Sequence, residues 1–172
     1  MILTHDVILK EMKKGNIKIE PRVSDAQIGP GSVDLHVSNV FRRFKHHNEV
    51  FEVTDEANFE EITEEVVIPK GKSILIKPNE TVLGITRERV TLSPGLSGWI
   101  EGRSRFARIG LAVHITSGFA HPGISNFQVL EITNLGPAPL ALHPGTRLCQ
   151  FIIQRCEGEA QYQGRFNSQV RP

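Results

Sequence analysis

The chain has 172 residues, 39% of them hydrophobic, with 20 lysines and arginines against 19 aspartates and glutamates. This length suits a single domain spanning residues 1–172 around one core, and the near-neutral balance supplies no net field toward nucleic acid or a membrane surface, so any anion must be met by local groups. The N-terminus shows no signal-peptide pattern and no apolar run is long enough for a bilayer, so a cytoplasmic protein with neither a nucleic-acid nor a membrane partner is expected.

In chain order, THDVILKEMKKG (4–15) predicts a helix, with Thr4 as N-cap, Val7, Ile8 and Met12 on one face, and Gly15 as the stop. Strand-like runs follow: IKIE, SVDLHV, EEVVI, SILIK, VLGITRERVTL, SGWIEG, GLAVHIT, FQVLEITN, PLALH and RLCQFIIQ. Turn signals such as PKGK, KPNE, SPG, HPG and NLGP separate them. Short strands at close spacing without intervening helices argue for a sandwich or barrel over a parallel α/β sheet. The fold class is therefore all-β with a short N-terminal helix. Residues 41–65 interrupt it with basic and then acidic blocks, which suits a solvated hairpin. Residues 158–172, poor in apolar side chains, predict a mobile tail able to order over a ligand.

Cys149 and Cys156 lie seven positions apart in RLCQFIIQRC. On one strand they point to opposite faces, which disfavours a shared metal or a disulfide. Neither the usual phosphate loops nor H-E-x-x-H is present. A zinc-dependent nucleobase deaminase would carry H-x-E and P-C-x-x-C, and this chain lacks those thiolates. His46 and His47 suit solvent better than a metal.

The segment GRSRFARIG places Arg103, Ser104, Arg105 and Arg108 between two strands. Guanidinium groups and a hydroxyl at a turn suit a polyanion such as a triphosphate; a solvated loop with surface ion pairs accounts for the same residues. Glu131, inside the apolar strand FQVLEITN, is the sharper signal, because a carboxylate there is costly to bury without a partner. If Arg108 is that partner, the pair holds a charged base in a dry pocket.

These residues carry a resemblance. GRSRFARIGL (102–111) resembles the Arg-Ser-Ser-Leu-Ala-Arg-Leu-Gly-Leu segment of dCTP deaminases, which share a dUTPase-like distorted β-barrel fold with trimeric dUTPases. GPGSVDLHV (29–37) resembles that family's Ser-Val-Asp-Leu-Arg-Leu segment, and SGFAHPG (117–123) its Ala-Gly-Trp-Ile-Asp-Pro-Gly loop. FQVLEITN resembles the strand bearing the catalytic glutamate, GTRLCQFI a later core strand, and YQGRFNSQ (162–169) the phosphate-covering tail. The matches run in order along most of the chain and leave out only 41–65.

The resemblance implies hydrolytic deamination of dCTP without catalytic zinc. Glu131 would be the general base that takes a proton from water attacking C4 of cytosine. Arg108 would orient it, and Ser104 would hydrogen-bond near the reacting centre. The backbone of Ile115, Thr116 and Ser117 would read the pyrimidine edge. Arg103, Tyr162, Arg165 and Gln169, with Gln150 as a weaker candidate, would meet the triphosphate, whose oxygens carry Mg2+. Asp34 matches a family residue read as structural, and Trp99 is expected in the core.

Three positions depart from the family. Arg105 stands where a second phosphate-binding serine is usual, Ser117 replaces an alanine beside the base, and His121 replaces the aspartate implicated in dUTP hydrolysis. A neutral imidazole can hydrogen-bond a sugar or accept a proton, with charge and reach unlike a carboxylate's. The expectation is a dCTP deaminase-like homotrimer with shared sites and with dUTP hydrolysis weakened or absent. A bifunctional enzyme forming dUMP and a catalytically silent nucleotide-binding relative are the alternatives.

Overall fold

The computed structural model describes residues 1–167 and 169–172. Helix α1 (His5–Lys14) ends where Gly15 adopts φ 79°, its N–H reaching back to Met12 O at 3.1 Å. Ile8 is buried as its spacing predicts, and so is Glu11, which the polar run around it conceals. Strand β1 (Ile17–Glu20) alternates cleanly, with Ile17 and Ile19 inward.

The centre of the sheet is β2 (Val33–Phe44), longer than SVDLHV alone suggests. The rest of the frame is β3 (Thr63–Val67), β4 (Ile74–Ile76), β5 (Thr81–Leu92), β6 (Leu96–Gly102), β7 (Leu111–Val113), β8 (Phe119–Ala120), β9 (Ser125–Asn134), β10 (Leu140–Leu142) and β11 (Arg147–Arg155). Nine strands form one sheet, with the path β7-β9-β5-β2-β11-β6-β8; β1 adds to β5 and β3 to β2. Every named pair is antiparallel. Strands β4 and β10 form a separate ribbon, tied to the sheet by buried Asn134, whose amide donates to Ile76 O at 3.0 Å and Ala138 O at 2.8 Å. The mostly β architecture agrees with the sequence expectation.

Inward positions of β2, β9 and β11 make the centre of one contiguous apolar cluster, with Val33, Leu35, Val37, Phe41, Leu130, Ile132, Phe151 and Ile153 fully buried. Trp99, expected there, is only half-buried. Two glycines are set by close approach. A Cβ on Gly84 would stand 2.9 Å from Ile132 Cδ1 and 3.3 Å from the Phe41 ring, and one on Gly98 would stand 2.4 Å from Ile152 O.

The charged stretch 41–65 begins as sheet. β2 runs on to Phe44 and pairs with β3, with short helix α2 (Phe59–Ile62) leading back in. The tail lies against the core: Tyr162 N donates to Pro122 O at 2.9 Å, Asn126 Nδ2 to Phe166 O at 2.8 Å, and Phe127 N to Gln169 O at 3.3 Å. Residue 168, inside the tail segment of the sequence reading, lies outside the described residues. Among the described residues no helix is long and apolar enough to cross a membrane.

Candidate active site

Strand β9 presents Glu131 opposite the core. Its neighbours Leu130 and Ile132 are fully buried, so period-two alternation turns the carboxylate to the other face, beside Leu83 of β5. Thr116 clamps it there: the Thr116 backbone N–H donates to Oε2 at 2.7 Å, and its hydroxyl reaches both carboxylate oxygens at 2.8 Å. The loop supplying Thr116 begins directly after β7, where His114 N donates to Glu131 O at 2.7 Å.

His114 shapes that loop. It takes a left-handed φ of 65°, uncommon for a side-chain-bearing residue. Its Nε2 lies 2.7 Å from Ser117 O, a group that only accepts, so Nε2 carries the proton. Its Nδ1 is buried without a hydrogen-bond partner among the described residues.

Around Glu131 lies a cavity of about 340 Å³, walled by β9, the 114–121 loop and the tail. Of the sequence-predicted residues it gathers Ser117, His121, Tyr162 and Gln169 with Glu131. Short strand β8 pairs Ala120 with Gly98 and so brings His121 to the rim. There the imidazole stacks on Tyr162, with ring centroids 5.0 Å apart and planes 8° apart, and meets Phe119 edge-on at 4.9 Å. Gly123, at φ 73°, lets the tail come close: Gln161 Nε2 donates to Gly123 O at 2.6 Å, and a Cβ on Gly123 would collide with that amide.

The arginine segment stands apart from this cavity. Ser104 opens a short helix, α3 (Ser104–Ala107), and Ser104, Arg105 and Arg108 are all exposed. No hydrogen bond or ion pair joins Arg108 to Glu131 among the described residues; within one chain, Thr116 takes the place expected for Arg108. Arg103 turns inward, pairing with Asp34 at 2.9 Å and donating to Arg147 O at 2.8 Å. Burial lifts the Asp34 carboxyl above its ordinary value, opposed by Arg103 and Arg147. Gln150 is held between Ser32 Oγ and Gly102 O at 3.0 and 3.1 Å. Ile115 is exposed beside Thr116, and Arg165 lies over the Phe166 ring, 5.8 Å from its centroid.

Sequence reasoning missed His114, Asn126 and Gln128 as lining residues. Asn126 and Gln128 share a 2.6 Å hydrogen bond, and Gln128 N is held by Thr86 Oγ1 at 2.9 Å where the β5–β9 register shifts. The polar positions of SNFQVLE were a usable signal; the register shift that gathers them on the cavity was not.

A family model described as dCTP deaminase-like matches residues 2–156. A dCTP deaminase of Marinomonas sp. is 38% identical over 173 residues, covering 95% of this chain and 89% of the relative. A dUMP-forming dCTP deaminase of Methanobrevibacter smithii is 36% identical over 154 residues, covering 89% and 79%. Among solved structures, the 2′-deoxycytidine 5′-triphosphate deaminase of Agrobacterium tumefaciens superimposes with a TM-score of 0.70 at 17% identity, over 91% of this chain and 48% of that one. The present chain thus spans about half of that protein's length, and the likeness bears on the fold.

Proposed function

The chain belongs to the dCTP deaminase-like family, and from that premise we propose that it hydrolyses dCTP to dUTP and ammonia with Glu131 as general base. The observation that carries this reading is the Glu131 carboxylate, displayed by an apolar strand and fixed by Thr116 at the wall of a cavity of about 340 Å³. Glu131 accepts a proton from the water that attacks C4 of cytosine and passes it to the departing amine, so that water and dCTP become dUTP and ammonia. The polar backbone of 115–117 faces the pyrimidine edge, and the tail residues Tyr162 and Gln169 close over the nucleotide.

Among the described residues the cavity lining contains no lysine or arginine, although a triphosphate requires cations. The exposed α3 segment offers Ser104, Arg105 and Arg108. We therefore propose a homotrimer in which a neighbouring subunit brings that segment to Glu131, giving Arg108 its orienting role and Ser104 its place near the reacting centre. Exposed Ile109, Ile115 and Leu135 supply apolar surface for such an interface. No three His, Cys, Asp or Glu side chains converge as a metal site among the described residues. In this proposal the Mg2+ arrives with the substrate, held by phosphate oxygens.

The reaction stops at dUTP because His121, stacked on Tyr162 and edge-on to Phe119, supplies no second carboxylate. Purified protein incubated with dCTP and Mg2+ is expected to release dUTP and ammonia, with no pyrophosphate. Glu131→Gln is expected to bind dCTP, keep the wild-type melting temperature, and lose at least about a hundredfold in kcat. Formation of dUMP and pyrophosphate by the wild type selects the bifunctional reading; binding of dCTP without turnover overturns both.

A further inference from the structure

Residues 41–65 lie between the short motifs of the sequence, within the span of the family model, and they lie in register with the base. Across the sheet, Glu65 of β3 pairs with Arg42 of β2, Arg42 with Leu83 of β5, and Leu83 with Glu131 of β9. Residues aligned across strands share one face, so these four form a row above the core. The neighbouring row, Val66, Phe41, Gly84 and Leu130, points the opposite way, with Phe41 and Leu130 fully buried. At the usual strand spacing of about 4.8 Å, Glu65 stands roughly 14 Å from Glu131 along this row.

The C-terminal segment follows the same row. Phe166 and Gln169 line the cavity over Glu131 and also a second cavity of about 400 Å³, walled on its far side by Arg42, Phe59, Glu60 and Glu65. The segment ends there: Arg171 forms an ion pair with Glu65, and Pro172 is buried. The far wall is itself fixed. Arg42 Nε donates to Thr63 Oγ1 at 2.8 Å and its guanidinium lies over the Phe59 ring, 5.4 Å from the centroid. Tyr162 N and Gln161 hold the proximal end of the segment on the 122–123 turn. Phe166 and Gln169, between these anchors, are thus drawn over the base.

We propose that the 41–65 hairpin is the seat of the C-terminal segment, with Glu65 a positioning residue that acts through Arg171 to hold Tyr162, Phe166 and Gln169 over the nucleotide. This role rests on the reading of the cavity as the nucleotide site, but the docking itself can be measured without turnover. An exposed ion pair is worth little in water, and charge reversal replaces attraction by repulsion; the expected effect is a modest one on binding.

The test uses the whole 172-residue chain, as Glu65→Arg, Arg171→Glu and the double charge swap. Hydrogen exchange at the amides of 161–171 is expected to be faster in each single variant and to return to the wild-type rate in the double. With dCTP and Mg2+, each single variant raises KM about fivefold at unchanged kcat, and the swap brings KM back to within about twofold of wild type. Unchanged exchange in both single variants, or failure of the swap to restore it, overturns the seat. Wild-type protein that does not turn over dCTP overturns the nucleotide reading instead, and the exchange comparison still decides whether the segment docks on Glu65.

Discussion

Thr116 holds Glu131 with one hydroxyl and one backbone N–H, so the two donors can be separated by substitution. Thr116→Val removes the hydroxyl and leaves the amide. Because Thr116 is exposed, the melting temperature stays within about a degree, while the less constrained carboxylate lowers kcat by about tenfold, in line with a hydrogen bond to a charged group. Steady-state rates beside a melting curve check this; a fall in stability matching the fall in rate would assign Thr116 a purely structural role. His121→Asp replaces the stacked imidazole by a carboxylate at the same rim. It is expected to bring pyrophosphate release from dUTP up at least tenfold, and an unchanged rate counts against the assignment of His121. Glu131 was legible in the sequence because a lone carboxylate inside an apolar run has few structural explanations. Thr116 was named only for its backbone; its hold on Glu131, and His114 altogether, were not legible, since both depend on a left-handed turn that brings a loop back to a strand fifteen residues further on.

At the scale of elements, most strands were legible because alternation and flanking Gly or Pro mark them locally. The failures are short or charged. Strand β8 has two residues and α3 four, too few for any period to show. The continuation of β2 to Phe44 was hidden because Arg42 and Arg43 make it look like a loop, although Phe41 beside them is fully buried. Pairing partners are a separate matter. Arg42 meets Glu65 and Leu83 by non-local register, which no window of neighbouring residues reports. At Gly98 of β6, opposite Ile153 of β11 on one side and Ala120 of β8 on the other, the constraint of close packing can be tested. A Cβ there would lie 2.4 Å from Ile152 O and 2.8 Å from the Phe151 ring, and neither backbone nor buried ring can retreat cheaply. Gly98→Ala is expected to destabilise the fold by about 2 kcal/mol. Because β8 delivers His121, the variant also loosens the rim of the cavity. Denaturant melts check the first effect, and a raised KM for dCTP at 25 °C checks the second.

For the molecule as a whole, Glu11 joins the N-terminal helix to the last strand through a buried charge. Its carboxylate is 1% exposed and receives Asn16 Nδ2 at 2.5 Å, Arg155 Nη2 at 2.9 Å and Lys14 Nζ at 3.3 Å. The hydrogen bonds from Asn16 and then Arg155 outweigh the desolvation that opposes them and hold its pKa down to about 2, against 4.5 ordinarily. A folded-state pKa below the unfolded one means that the unfolded chain binds more protons in the interval between them. The stabilisation from Glu11 is therefore complete above about pH 4.5 and drains away as the pH falls toward 2. Backbone contacts run beside this link: Leu3 N donates to Ile153 O at 2.8 Å, and Arg155 N to Met1 O at 3.0 Å. Loss of the charge thus loosens the first helix and the end of β11 together. Glu11→Gln keeps the side-chain shape and removes the titration. It is expected to cost about 2 kcal/mol at pH 7 and roughly a quarter of that at pH 2.5, so the two stability curves approach each other in acid. Urea midpoints taken between pH 7 and pH 2.5 measure the difference; curves that stay parallel over that range would show that Glu11 does not link the fold to pH.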